Sequence, residues 1–351
     1  MRRHKICKII LAILAVFLCV AFYELIGICI TYKKQPAVSD ATIKETQNIM
    51  SVAGRENTER AVIIEKNSQA LLERVRLIQN AKDEIILSTF AFKSDESGKL
   101  ILGALHDAAD RGVHVRILVD GMESWIDMEG NPYFYGLSSH ENVEIKLYNK
   151  ANPLKPWKTM GRMHDKYLIA DGKIYILGGR NTYNYFLGDF PGHKNFDRDV
   201  LVVCDEPQKD NSVNQLWKYF ETIWEQEDCR YFHNSKKLAD RQSVKKAVLE
   251  LQKGYQQYFE VNKEKICDTD YADETFETEK IILLSNPIHT QAKEPVVWYQ
   301  LGELMKNAKE RVKIHTPYII CNDMMYNTWE EIAQKVPDFS IMTNSVANNG
   351  N

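Results

Sequence analysis

Two stretches of this 351-residue chain spell the same piece of structure. Leu77-Ile-Gln-Asn-Ala-Lys-Asp-Glu-Ile-Ile-Leu-Ser-Thr89 aligns with Leu304-Met-Lys-Asn-Ala-Lys-Glu-Arg-Val-Lys-Ile-His-Thr316 at an offset of 227 residues, with five of thirteen positions identical. Each copy reads as the end of a helix followed at once by a strand. A repeat over this distance predicts two half-domains of one architecture. Around the first copy the pattern completes a unit. Leu71, Leu72, Val75, Ile78 and Ala81 share one helical face, and Glu84–Phe92 reads as a strand. Leu100–Ala109 is helical up to Arg111-Gly112, and Val113–Asp120 alternates as a second strand. Strand, helix, strand at this spacing is a βαβ unit with parallel pairing. Asn142–Tyr148 adds a strand. Ser212–Glu225 is a helix with Leu216, Phe220, Ile223 and Trp224 as core, and 235–265 is charged and helical in pattern. Phe339–Thr343 reads as a late strand.

Between these elements lies the segment richest in chemistry, residues 163–181. His164, Lys166 and Asp171 stand in the order H-x-K-x-x-x-x-D, and Gly178, Gly179 and Asn181 follow. Residues two apart on a strand share a face, so His164 and Lys166 project together while Asp165 and Tyr167 point away. Asp171-Gly172 is a hairpin-turn signal, and Lys173–Leu177 reads as the return strand. Gly178 and Gly179 would let backbone approach a ligand closely. A neutral imidazole can attack phosphorus and form a covalent intermediate. Lys166 and the Asn181 amide can hold the phosphate oxygens as charge develops. No metal or cofactor is needed for this chemistry. Asp171 fits a turn-setting role better than a chemical one.

The segment resembles the signature of the phospholipase D superfamily, and the wider chain looks most like the bacterial cardiolipin synthase branch and its phospholipase D-like relatives. The resemblance implies that His164 is the nucleophile and that Lys166 and Asn181 bind phosphate. It also implies a carboxylate beyond the motif that orients the His. Asp197 and Asp199, in Phe-Asp-Arg-Asp-Val-Leu-Val-Val, both fall in the matching place. Thr316-Pro-Tyr318 and Thr343-Asn-Ser345 also resemble the second half of cardiolipin synthases. The fold implied is an α/β, phospholipase D-like mixed sheet flanked by helices, with two halves facing across a pseudo-twofold axis.

The composition, 44% hydrophobic and 26% charged, is that of a globular protein. The net charge of −3 is unevenly placed. Residues 1–34 carry six Lys/Arg and one acid, Glu24, so they contribute +5 and the remainder −8. An acidic body argues against a nucleic-acid substrate. Lys155, Lys158 and Arg162, just before the motif, are candidates for gathering an anionic substrate. Ile9–Thr31 is apolar except for Tyr23 and Glu24 and long enough to span a bilayer. The basic stretch before it predicts a cytoplasmic N-terminus. With no small-residue cleavage site, the run reads as an uncleaved signal anchor, a cleaved signal being the alternative. The catalytic body is then extracytoplasmic, at a single-pass cell membrane. Four cysteines lie in the body, none with C-x-x-C spacing, which argues against a zinc site.

The expected organisation is therefore a transmembrane anchor at 1–34, a stalk at 35–58, a first half-domain at 59–205, a helical connection at 206–280 and an incomplete second half-domain at 281–351. The repeat offset puts a second H-x-K near position 391, past Asn351. Three functions are consistent with this. One is phospholipase D-type transfer or hydrolysis on an anionic membrane phospholipid, completed by a second-half polypeptide. A second is a single-motif homodimeric phosphodiesterase or nuclease, pairing two copies of His164. The third is a catalytically impaired or non-catalytic remnant.

Overall fold

The computed structural model describes residues 2–51, 58–152, 154–207 and 210–345, with side chains from Lys5 onward. Residues 346–351, and the part of the expected stalk at 52–57, lie outside the described residues. The chain forms two compact units, one of residues 1–31 and 56–283, the other of 32–55 and 284–351.

The chain opens with α1 (Arg2–Tyr32), the one helix among the described residues long and apolar enough to cross a membrane. The next segment differs from expectation. The stretch read as a stalk carries a helix, α2 (Asp40–Ser51). It is polar, but Ser39 caps it by bonding Thr42, and Thr42 and Thr46 are buried. It belongs to the second unit, where Ser39 and Thr42 bond the carboxylate of Glu294. A polar helix held by a partner segment carries little apolar periodicity for a sequence reading to find.

The first unit is built on a nine-stranded mixed sheet. In chain order its elements are β1 (Arg60–Ile64), α3 (Asn67–Asn80), β2 (Glu84–Thr89), α4 (Glu96–Asp110), β3 (His114–Asp120), α5 (Gly121–Asp127), α6 (Pro132–Ser138) and β4 (Val143–Tyr148). There follow β5 (Lys166–Ala170), β6 (Ile174–Gly178), β7 (Asp199–Val203), α7 (Ser212–Trp224), β8 (Cys229–Tyr231), α8 (Gln242–Cys267) and β9 (Phe276–Glu277). The strand order is β8-β4-β3-β2-β5-β6-β7-β1-β9. β2, β3 and β4 run parallel, and every other pairing is antiparallel. Ile85, Leu87, Val115, Ile117 and Val119 meet Leu71, Val75, Ile101 and Leu105 of α3 and α4 in one core. The other face is covered by α7, where Tyr219 donates to Asp165 (2.8 Å) and Glu221 pairs with buried Arg116 (2.6 Å). Central strands covered on both faces are apolar throughout, which is why β2 reads Ile-Ile-Leu.

The segment 206–280, expected to connect two halves, is integral to this unit instead. β8 and β9 form both edges of the sheet, and Val244, Leu251 and Tyr255 of α8 join the main core. Its charged residues line the solvent side, so the segment looks like a linker in sequence although one stripe is buried.

The second unit contains, besides α2, α9 (Val296–Lys306), β10 (Arg311–His315), α10 (Asp323–Lys335) and β11 (Asp338–Met342). β10 and β11 pair in parallel around a small core of Val312, Ile332 and Val336. The order helix, strand, helix, parallel strand is that of α3, β2, α4 and β3. Arg311 opens β10 at the offset of 227 residues from Glu84 at which the sequence repeat runs.

Candidate active site

The site forms where β2 ends and β5 begins. Because β5 runs antiparallel to β2, with Lys166 opposite Thr89, residues before Lys166 lie at the carboxyl end of the parallel strands. Open α/β sheets gather ligand-binding side chains there. The strand proper begins at Lys166, so His164 stands in the extended segment leading into it rather than in the strand. The alternation holds all the same. Asp165 and Tyr167 face Tyr219 of α7, whereas His164 and Lys166 both face Phe90. The His164 ring centroid is 4.5 Å from that of Phe90, and Lys166 Nζ lies 5.2 Å from it. Asn181 joins them through the next residue, its Oδ1 accepting from Ala91 N (3.2 Å). That bond orients the side chain and leaves its amide N–H₂ as a donor.

Two groups complete the arrangement. Asp120, buried at the end of β3, accepts from Arg162 Nε and Nη2 (2.7–3.0 Å) and from Met163 N (3.1 Å). This clamps the backbone just before His164. The Arg162 guanidinium also lies 5.1 Å over the Phe90 ring. Phe90 and Asp120 were not singled out in the sequence. Asp120 carried a usable signal, as a charged residue ending a buried parallel strand. Phe90 carried none, since an aromatic after a strand is ordinary core text.

The electrostatics suit a neutral imidazole. Burial against Phe90, aided by the charges of Lys166 and Arg162, lowers the pKa of His164, and Asp120 opposes the shift. Burial also pulls Lys166 down to about 8, against the influence of Asp165, Asp197 and Asp120. Lys166 Nζ donates to the carbonyl of His164 (2.7 Å), and an ammonium has two further donors to offer. An uncharged imidazole beside a buried ammonium and a free amide can attack a phosphodiester and hold its oxygens.

The remaining candidates sit elsewhere or act differently. Asp171 is at the far end of β5, where its carboxylate accepts from the backbone N–H of Lys82, Asp83 and Glu84 (2.8–2.9 Å). Asp171 and Gly172 both have positive φ, 52° and 61°, as a tight hairpin turn requires. Asp171 therefore anchors the start of β2 and is not with His164. Gly178 and Gly179 make room for the chain itself. A Cβ on either would collide with the carboxylate of Asp199 or Asp197, respectively. Asp199 is fully buried between Arg74 (2.9 Å) and Arg180 (3.2 Å), an ion-pair cluster that ties β7 to α3. Asp197 lies beside Gly179 and within electrostatic reach of Lys166. Lys158 is paired with Asp228, and Lys155 is exposed. Of the three basic candidates before the motif, Arg162 is the one that reaches the site. Among the described residues no group of three or more His, Cys, Asp or Glu side chains is placed to hold a metal.

Residues 75–224 match the family described as cardiolipin synthase, PLD-like domain. An uncharacterized protein of Helicobacter pylori is 27% identical over 319 residues, which are 83% of this chain and 60% of that protein. Cardiolipin synthase C of Escherichia coli is 29% identical over 171 residues, 45% of this chain and 34% of that enzyme. The crystal structure of phosphatidylserine synthase from Haemophilus influenzae superposes with a TM-score of 0.57 at 13% identity, over 87% of this chain and 66% of that one. The chain thus has a phospholipase D-like fold and belongs to the phospholipase D superfamily. It spans about 60% of the Helicobacter protein and about a third of the Escherichia enzyme.

Proposed function

We propose that this chain carries the nucleophilic half of a phospholipase D-type site that transfers or hydrolyses the phosphodiester of an anionic phospholipid, in the manner of cardiolipin synthases. The observation that carries the reading is the placement of His164, Lys166 and Asn181 around Phe90–Ala91, in a domain matched by the cardiolipin synthase family. A ring nitrogen of neutral His164 attacks phosphorus, and the bond from phosphorus to the departing alcohol breaks. Lys166 and the Asn181 amide stabilise the equatorial oxygens. The departing alkoxide takes its proton from a general acid on the opposing half of the site. In the second step an acceptor alcohol or water attacks phosphorus, gives its proton to the base the general acid has become, and the bond from phosphorus to His164 breaks. Asp120, through Arg162 and Met163, positions the segment, and Asp197 supports the charge of Lys166. Helix α1 anchors the chain with its N-terminus in the cytoplasm and the site outside.

The full chain, reconstituted in vesicles with phosphate-labelled phosphatidylglycerol, should yield an acid-labile, base-stable adduct on His164. No adduct in the wild-type chain, or an adduct that persists in a folded His164→Ala variant, would overturn the reading.

A further inference from the structure

The loop between β4 and β5 connects the active site to the membrane helix. Its short 3₁₀ turn, Pro156–Lys158, packs on α1, since a Cβ built on Gly27 would come within 2.7 Å of Pro156 Cγ. Thr159 Oγ1 lies 3.5 Å from Oε2 of Glu24, the only acid in the apolar run. Glu24 stands eight residues before the end of α1 at Tyr32, about 12 Å along the axis at roughly 1.5 Å per residue. A helix whose apolar run fills a hydrocarbon layer about 30 Å thick therefore meets this loop below its own outer end. The loop's free side chains match that depth. Leu154 is 79% exposed, Met160 54% and Trp157 39%. Trp125 and Ile126 of α5 are about two-thirds exposed. Helix α5 follows β3 at the same end of the sheet, where Gly121 packs against the backbone of Lys150. An apolar patch of this kind is costly in water and marks a contact surface, and Trp suits the boundary between headgroups and acyl chains.

The geometry points to a membrane-docking rim. Leu154, Trp157 and Met160, with Trp125 and Ile126 beside them, enter the headgroup–acyl boundary of the bilayer that α1 crosses, and so hold the mouth of the His164 site against lipid headgroups. The loop ends at Arg162 and Met163, which Asp120 clamps, so the depth of the rim sets the height of His164. This inference rests on the membrane-anchored reading above.

The six tryptophans all lie outside α1, so their emission reports on the body alone. The full chain in vesicles whose lipids carry bromine high on the acyl chains should show quenched tryptophan emission. Trp157→Phe combined with Trp125→Phe should remove most of the quenching, while Trp217→Phe retains it. Paired Leu154→Ser and Met160→Ser should lower turnover on vesicles about tenfold and leave turnover of a monomeric short-chain phospholipid unchanged. Unquenched emission from a chain that floats with the vesicles, or quenching that survives the double tryptophan substitution, would overturn the rim. Quenching needs no turnover. A chain that is quenched yet forms no His164 adduct would refute the catalytic reading and leave the rim standing.

Discussion

The two copies of the repeat share a plan and differ in what surrounds them. Glu84 and Arg311 open corresponding strands, and Asp95 and Asn322 cap corresponding helices, both at the same offset. In the first copy, Ile85, Ile86 and Leu87 are buried on both faces of β2. In the second, Arg311-Val-Lys-Ile-His315 alternates, and Val312 alone is buried. A strand covered by α3 and α4 on one side and α7 on the other must be apolar throughout, whereas one packed on a single face alternates. Local plan thus survives in caps and periodicity, while burial and chemistry depend on neighbours. The first copy runs on into the hairpin that carries His164.

Charge gives the sharpest test of that contrast. Asp199→Ala would leave Arg74 and Arg180 buried without their carboxylate, at a cost of about 3–5 kcal/mol. Asp338 of the second copy meets Lys313 at 3.9 Å with both side chains more than half exposed. Its replacement by Ala should not measurably move the unfolding midpoint. Denaturant titration of the two variants in micelles checks this, and equal effects would break the comparison.

Activity should divide in the same way. Lys166→Ala should lower turnover about 10²–10³-fold, the usual cost of removing one donor to a developing charge. Lys313→Ala in the second copy should leave it unchanged. The pH profile follows from the two shifts. In the proposed mechanism His164 is the neutral imidazole, so its lowered pKa puts the acid limb below the ordinary value of 6.5. Lys166 is the cation of that mechanism, so activity should fall as pH rises through about 8. Lys166→Arg, slower but charged throughout, should lose the alkaline limb. A limb that stays near 8 in that variant would assign it to another group.

The sequence shows the His164–Asn181 hairpin and the βαβ order because both are written locally, in alternation, turn residues and helix periodicity. It could not separate Asp197 from Asp199. Two residues apart, they read as one face of a strand, but β7 begins only at Asp199, and what distinguishes that residue is Arg74 on α3 and Arg180 beside the motif, one of them more than a hundred residues away in sequence. Asp171 was legible as a turn residue, although its actual partners, the N–H groups opening β2, come from the adjacent strand. Phe90 and Asp120 enter the site only through the pairing of β2 with β3 and β5. Helix α2 is hidden because it is polar and one of its holding contacts is a distant carboxylate, Glu294.

The smallest expected effect isolates plan from surroundings. Asp95 accepts from Gly98 N at 3.1 Å, and Asn322 accepts from Met325 N at 3.0 Å, so each satisfies the same orphan donor of its helix. Loss of such a cap costs about 1 kcal/mol. Asp95 does more, because its other oxygen accepts from Asn184 N at 2.8 Å and ties the chain just past Asn181 to α4. Asn322→Ala should cost about 1 kcal/mol and leave turnover untouched. Asp95→Ala should exceed it in stability and also loosen the Asn181 segment, lowering turnover several-fold. Asp95→Asn keeps an acceptor for Gly98 N but turns an N–H₂ donor toward Asn184 N, so it should recover the stability of the cap and leave turnover lowered. If the two alanine variants proved equal in stability and both were silent in turnover, the caps would be interchangeable, and the difference between the copies would lie wholly in their strands.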